Sequence, residues 1–274
     1  MKFAESLSAR TSRIAVLSVL IVFTVLPLIS MITTALQKQG TEPLGLSFPT
    51  APQWHNFAEA WTAADFPELL LSSALIVIGV VPAAVLFSTL AGYGLARRVP
   101  GRRLIYVLFI IGLTLPAEAL VAPLYYELRG LDLLNSRWAL ILPLVGLFMP
   151  FGVFWMRTAF ESLPAEITEA AEIDGASVWQ TFRRVQLPLV TSWLSSLTIL
   201  FFLWTWNQFL LVIVLITNPS DDNMAGALAT FQGQHGTNLV LLCAGALIII
   251  APSLVIFFAF QRHFVRALLQ GAIK

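Results

Sequence analysis

Residues 69–103 read LLLSSALIVIGVVPAAVLFSTLAGYGLARRVPGRR: an uncharged run, Leu69–Ala96, closed by Arg97, Arg98, Arg102 and Arg103 around the turn-forming pair Pro100-Gly101. A helix crossing the hydrocarbon core of a bilayer needs about 20 mainly apolar residues, so this run is long enough to span it with tilt or to extend beyond it. The arginines mark its end as the side of the membrane on which positive charge collects. The basic turn itself reads as a topology anchor.

The composition of the whole chain agrees. Of its 274 residues 58% are apolar and only 11% are charged, against roughly 45–50% and about 25% in an ordinary globular domain. This leaves too little polar residue to coat a soluble surface, which argues against a soluble enzyme domain. Disorder needs the opposite balance. A net charge of +1 gives no basic excess for nucleic acid. Cys243 is the single cysteine, so no intrachain disulfide and no cysteine-based zinc site can form.

Five further apolar runs join the first, giving six candidate spans at about Ile14–Leu36, Leu69–Ala96, Leu104–Leu128, Trp138–Phe160, Pro188–Thr217 and Leu239–Phe260. The fold class is therefore an all-α membrane protein, a single transmembrane domain over residues 1–274. The first span, behind Lys2, Arg10 and Arg13, resembles a signal peptide, but its core is longer and no clear cleavage site follows Ile32; it reads as a retained helix. With both termini inside, 13 of the 16 Lys and Arg fall on the inner side, and only Lys38, Arg129 and Arg137 lie outside. The outer segments are then 37–68, 129–137 and 218–238. Trp54, Phe57, Trp61 and Phe66 in the first suit either an interfacial aromatic belt or contact with an external partner. The polar glycine-bearing stretch 219–238 suits either a mobile connector or a surface for an external partner.

The inner connection 161–187 is long and patterned. Pro164 suits the first turn of a helix, and Glu166 and Glu169 complement the positive end of its dipole. Gly175 supplies a stop. Ser177 and Gln180 fit a capping box for a second helix, along which Val178, Phe182 and Val185 form an apolar stripe with Trp179 alongside. Leu187-Pro188 is expected to break that second helix before the fifth span. The pattern predicts a cytoplasmic helix–turn–helix, small on one side (Ala170, Ala171, Gly175, Ala176) and aromatic on the other. By composition alone it either packs under the bundle or docks on a partner.

An intramembrane carboxylate is costly and a functional hypothesis by default. Glu118, after Pro116, either faces a translocation path or pairs between helices. Trp206 and Asn207 can offer a ring face and a hydrogen bond to a hydroxyl-bearing cargo, although a polar residue in a span also joins helices. Glu127 is nearer the outer end, where it can reach water. Neither His235 nor His263 has metal-ligand companions. No HExxH motif or Ser/His/Asp set appears, and Gly92-Tyr93-Gly94 lacks the Lys-Ser/Thr of a phosphate loop.

The stretch Glu169-Ala170-Ala171-Glu172-Ile173-Asp174-Gly175-Ala176, followed by Val185-Gln186-Leu187-Pro188, resembles the EAA loop of ABC-importer permeases at that family's spacing. Trp206-Asn207-Gln208-Phe209-Leu210 is similar to the W-N-x-F-L signature of carbohydrate-uptake permeases. Gln261–Arg266 with Gly271–Lys274 is similar to their closing pattern, except that Ala267 replaces a usual glycine and no glycine follows Lys274. Leu115–Glu118 and Ala122–Tyr125 also match, so the resemblance covers most of the chain. It resembles the shorter, maltose-type permease subunit.

The resemblance implies that Glu169, Ala170, Ala171, Asp174, Gly175, Trp179 and Phe182 form the ATPase-coupling loop, with Glu118, Trp206 and Asn207 as the substrate-pathway candidates. It also implies a second permease chain, a cytoplasmic ATPase dimer that holds ATP and Mg, an extracytoplasmic sugar-binding protein and a bilayer of the bacterial or archaeal plasma membrane. The chain itself would hold no cofactor, catalyse nothing and bind no nucleic acid. The rival readings are a sugar-phosphate or other non-sugar cargo, a stand-alone secondary transporter, which would favour more intramembrane charge pairs or repeated broken helices, and a membrane-embedded hydrolase.

Overall fold

A computed structural model describes residues 7–41, 45–97, 99–216, 223, 225–233 and 236–272. Twelve α-helical segments follow in chain order among them: α1 (Leu7–Ala35), α2 (His55–Ala63), α3 (Phe66–Ala96), α4 (Arg102–Thr114), α5 (Val121–Gly130), α6 (Trp138–Glu161), α7 (Ala165–Ile173), α8 (Val178–Gln180), α9 (Leu187–Leu189), α10 (Thr191–Trp206), α11 (Leu210–Leu215) and α12 (Leu239–Ala272). Two-residue strands β1 (Gln232–Gly233) and β2 (Gly236–Thr237) pair antiparallel. Lys2, Arg98, Pro219, His235 and Lys274 lie outside the described residues, and of the closing pattern only the helical backbone through Ala272 is described.

Residues Thr11–Ala35, α3, α6 and Leu239–Gln261 are each long and apolar enough to cross a membrane. The other two apolar runs are broken, so the described helices give four spans, or up to six if each bent pair counts as one. The run 104–128 turns through 94° between α4 and the 3-10 turn Ala117–Leu120. There Leu115 becomes extended ahead of Pro116, as the clash of a proline ring with the preceding residue requires. The run 188–217 is α10, a break at Asn207–Phe209, then the short α11. The expected break at Leu187-Pro188 falls elsewhere. Pro188 sits in the first turn of α9, where its missing N–H costs nothing. The chain instead bends by 77° at Val190.

Two compact units are formed, one by Met1–Phe66 with Ala227–Ile250 and one by Pro67–Gly226 with Ala251–Lys274. In the first, α1 exposes apolar side chains along its length, Phe23 to 79%, as a lipid-facing helix does. The carbonyls at its end are satisfied by the fully buried Asn56, whose Nδ2 donates to the Ala35 and Gln37 oxygens at 2.8 Å each.

In the second unit α6 packs against α3, α4 and α10. Along α3 and α6 the side chains at the contact are small. An added Cβ would meet Ile141 at 2.7 Å from Gly79, Ser88 Oγ at Gly152, and the Arg157 backbone nitrogen at 2.8 Å from Gly92. Close approach through small residues is how helices associate in lipid, where apolar side chains gain nothing by leaving the solvent. Trp155 Nε1 donates to the Trp193 oxygen at 3.0 Å and joins α6 to α10. Arg157 lies 3.6 Å over the Tyr106 ring and pairs with Glu161 at 2.9 Å, fastening α4 to the end of α6.

Gly92→Ala should therefore destabilise by about 1–3 kcal/mol, the cost of overpacking against a part that cannot give. Gly94→Ala, whose methyl meets nothing within 4 Å, should leave stability unchanged or raised. Thermal unfolding of the two variants in detergent, followed by size-exclusion chromatography, measures the difference; equal midpoints would sink the close-contact account.

Candidate functional site

The segment 161–190 builds one compact hairpin. Pro164 (φ −57°, ψ 136°) opens α7, with Glu166 in its first turn. At the other end Gly175 is left-handed at φ 78°. The Gly175 N–H donates to the Glu172 oxygen at 3.1 Å and the Ala176 N–H to the Ala171 oxygen at 3.0 Å. This pair of bonds is a Schellman stop, and glycine supplies it without the steric cost a Cβ brings. The capping box follows: Gln180 N–H donates to Ser177 Oγ at 3.3 Å, and Ser177 N–H donates to Gln180 Oε1 at 2.7 Å. After α8 the helix widens into a π segment, Thr181–Gln186. Gln186, nearly buried, donates from Nε2 to Thr168 Oγ1 at 2.6 Å and ties this limb back to α7.

Three rings hold the hairpin to the bundle. Tyr93 of α3 lies 5.3 Å from Phe160 of α6 and 4.7 Å from Phe182 of the π segment. The Tyr93 hydroxyl donates to the Val178 oxygen at 3.2 Å and accepts from Arg97 Nη1 at 3.1 Å. Arg97 also stands 3.7 Å from Glu172, an ion pair too solvated to contribute much. A cavity of about 660 Å³ lies between the hairpin and the helix ends, with Arg97, Glu161, Thr168, Glu169, Glu172 and Gln186 among its walls.

The residues assigned to coupling are thus gathered in one element, but with different faces. Glu169, Ala170, Asp174, Gly175 and Trp179 are exposed, whereas Ala171 is buried and Phe182 is buried in the core cluster of the bundle. The expected aromatic ridge is divided: Trp179 is 57% exposed and Phe182 only 4%. The rings of Tyr93 and Phe160 cover Phe182, so it anchors the hairpin and cannot enter a partner. The exposed apolar surface is instead Ile173 at 86%, with Val178 and Trp179 across the turn. Ile173 lies outside the set of residues expected to couple. Its signal is an isoleucine inside an otherwise small and polar turn sequence.

The three pathway candidates are placed less favourably. Glu118 is exposed on the 3-10 turn at the bend after α4, and no hydrogen bond joins it to Asn207 among the described residues. Trp206 is 5% exposed and stacks on Phe202 at 5.6 Å, so that ring face is occupied from within the chain. Asn207 ends α10, donating to the Leu203 oxygen at 2.8 Å and to Ser253 Oγ at 3.4 Å. No group of three or more His, Cys, Asp or Glu that can hold a metal occurs among the described residues.

Residues 84–270 match the family described as binding-protein-dependent transport system inner membrane component. The chain is 32% identical over 282 aligned positions to the diacetylchitobiose uptake system permease protein NgcG of Streptomyces coelicolor, an alignment covering 100% of this chain and 93% of that one. It is 30% identical over 264 positions to the trehalose transport system permease protein SugB of Mycobacterium tuberculosis, covering 95% of this chain and 96% of that one. The crystal structure of a bacterial ABC transporter involved in import of the acidic polysaccharide alginate shares the fold, with a TM-score of 0.76 at 21% identity over 94% of this chain and 98% of that one.

Ser177→Ala removes the cap that opens the second limb, at a cost of about 1 kcal/mol. Hydrogen exchange read by mass spectrometry should then speed up at the amides of residues 178–181 and not in α6. Unchanged protection there would mean that the capping box does not hold the limb.

Proposed function

Because the chain belongs to the family of binding-protein-dependent transport system inner membrane components, we propose that it is the permease subunit of an ATP-driven carbohydrate importer. In this reading it forms half of a translocation path and couples it to ATPase subunits through the hairpin 161–187. The observation that carries the coupling role is the exposed tip: Ile173, Val178 and Trp179 face outward from a hairpin that is capped at its turn and anchored by the rings of Tyr93 and Phe160. An apolar tip on a braced support suits insertion into a groove of another protein.

A carbohydrate cargo is supported by relatives named for the uptake of diacetylchitobiose and trehalose. The excess of Lys and Arg on one side supports both termini and the hairpin lying in the cytoplasm of a bacterium or archaeon. ATP and Mg belong to the ATPase dimer; a second permease chain completes the path, and an extracytoplasmic binding protein delivers the sugar. ATP-driven closure of the ATPases brings their hairpins together and moves the helix bundles between inward-open and outward-open states. The coupling requires that the hairpin meet the ATPase differently in the two states. Glu118, with Asn207 at the end of α10, is assigned to the path; Trp206 supports Asn207 from within the bundle.

The test is co-purification followed by uptake. The tagged chain, expressed in its host and extracted in mild detergent, should bring down a second permease and an ATPase. Vesicles holding that complex, supplied with its binding protein, should take up one of diacetylchitobiose, trehalose or melibiose, and not methionine, only when ATP is present. A homo-oligomer without an ATPase would overturn the importer reading. Gly175→Trp should abolish both ATPase co-purification and uptake; if both survive, the hairpin is not the coupling element.

A further inference from the structure

We infer that the Tyr93 hydroxyl is the joint through which displacement of the hairpin is passed to α3. The inference rests on the reading of the hairpin as the ATPase-docking element and goes beyond it by naming the receiving residue. Tyr93 lies near the end of the uncharged run of α3, in the sequence Gly92-Tyr93-Gly94. Three kinds of contact converge on it: its ring meets Phe160 and Phe182, its hydroxyl donates to the Val178 oxygen, and Arg97 donates to that same hydroxyl.

The ring contacts and the hydroxyl contact differ in kind. The ring of Phe182 packs the second limb against Tyr93, and Phe160 of α6 backs the same ring. The hydrogen bond to Val178 is directional. It joins α3 to the first residue of the second limb, two residues beyond the turn that carries Ala176. A push on the tip therefore reaches α3 along a defined line. Arg97, just beyond the end of α3, donates to the hydroxyl and also faces Glu172 on the first limb.

The second limb has reason to occupy more than one position. It is wound as a π segment, a form common at functional sites, and among the described residues the buried Thr181 hydroxyl has no hydrogen-bond partner. Such a group destabilises the arrangement that buries it. A shifted limb that satisfies Thr181 and keeps the Tyr93 bond would carry α3 with it.

The experiment uses the complete importer reconstituted in vesicles with its binding protein, with diacetylchitobiose, trehalose and melibiose each offered as the transported probe. Sugar moved per ATP hydrolysed is measured in wild type, Tyr93→Phe, Arg97→Met and the double variant. Tyr93→Phe keeps the ring and removes the hydroxyl. It should assemble and hydrolyse ATP, while sugar moved per ATP falls roughly fivefold, the factor set by about 1 kcal/mol for one neutral hydrogen bond. Arg97→Met should lower the ratio in the same direction, and the double variant should be no lower than Tyr93→Phe alone, because both act on one bond. A wild-type ratio in assembled Tyr93→Phe would overturn the inference, as would a double variant showing the product of the two losses. If Tyr93→Phe fails to assemble, the Arg97→Met ratio decides: unchanged, it overturns the joint. A wild-type complex that moves none of the panel sugars and hydrolyses no ATP would overturn the importer reading itself, and the inference with it.

Discussion

The approach of α3 to α6 at Gly92 positions everything at the hairpin end of the second unit. No side chain stands between Gly92 and the backbone of Arg157, and a Cβ would come within 2.8 Å of that nitrogen. In lipid this contact is stabilised by close packing alone, so it depends on the absence of an atom. Its consequences follow in chain order. Tyr93, the next residue, is brought against Phe160, just beyond Arg157. Together the two rings form the seat into which Phe182 packs. One turn later Arg97 reaches both the Tyr93 hydroxyl and Glu172. A larger residue at 92 would separate the helices and remove the seat.

A second constraint is that backbone groups freed where a helix breaks need partners, since hydrocarbon supplies none. The chain meets this with a side chain at each interruption. Asn56 closes the end of α1. Asn207 closes α10 through the Leu203 oxygen, and Asn223, itself buried, donates to the Gln208 oxygen at 2.8 Å. Asn207 is therefore engaged in ending a helix and in a bond to Ser253. These breaks shorten the straight helices but let the chain change direction without exposing unpaired amides.

Much of the hairpin was legible because its determinants are local. A glycine that must adopt positive φ, a serine followed three residues on by glutamine, and a proline ahead of acidic residues act within one or two turns. The Schellman stop and the capping box are the result. The division of the aromatic residues was not legible. Trp179 and Phe182 are separated by one helical turn and look alike in the sequence. Which is buried depends on Tyr93 and Phe160, which lie 89 and 22 residues before Phe182 in the chain. Pro188 was ambiguous for a different reason: a proline permits either a break or a helix start, and here it sits in the first turn of α9.

The sequence by itself determined the class of the molecule. Uninterrupted apolar runs bounded by arginine cannot be stable in water, and their length matches a bilayer; the turn chemistry of the hairpin was equally its own. Only the tertiary structure decided where the runs at 104–128 and 188–217 break, that Ile173 and not Phe182 faces outward, that Trp206 is covered by Phe202, and that Tyr93 is the contact between α3 and the hairpin. The reason is the range of the forces involved. Burial in lipid and turn geometry are read from neighbouring residues, whereas burial within a bundle depends on how closely two distant helices can approach, which here was set by single glycines on α3 and α6.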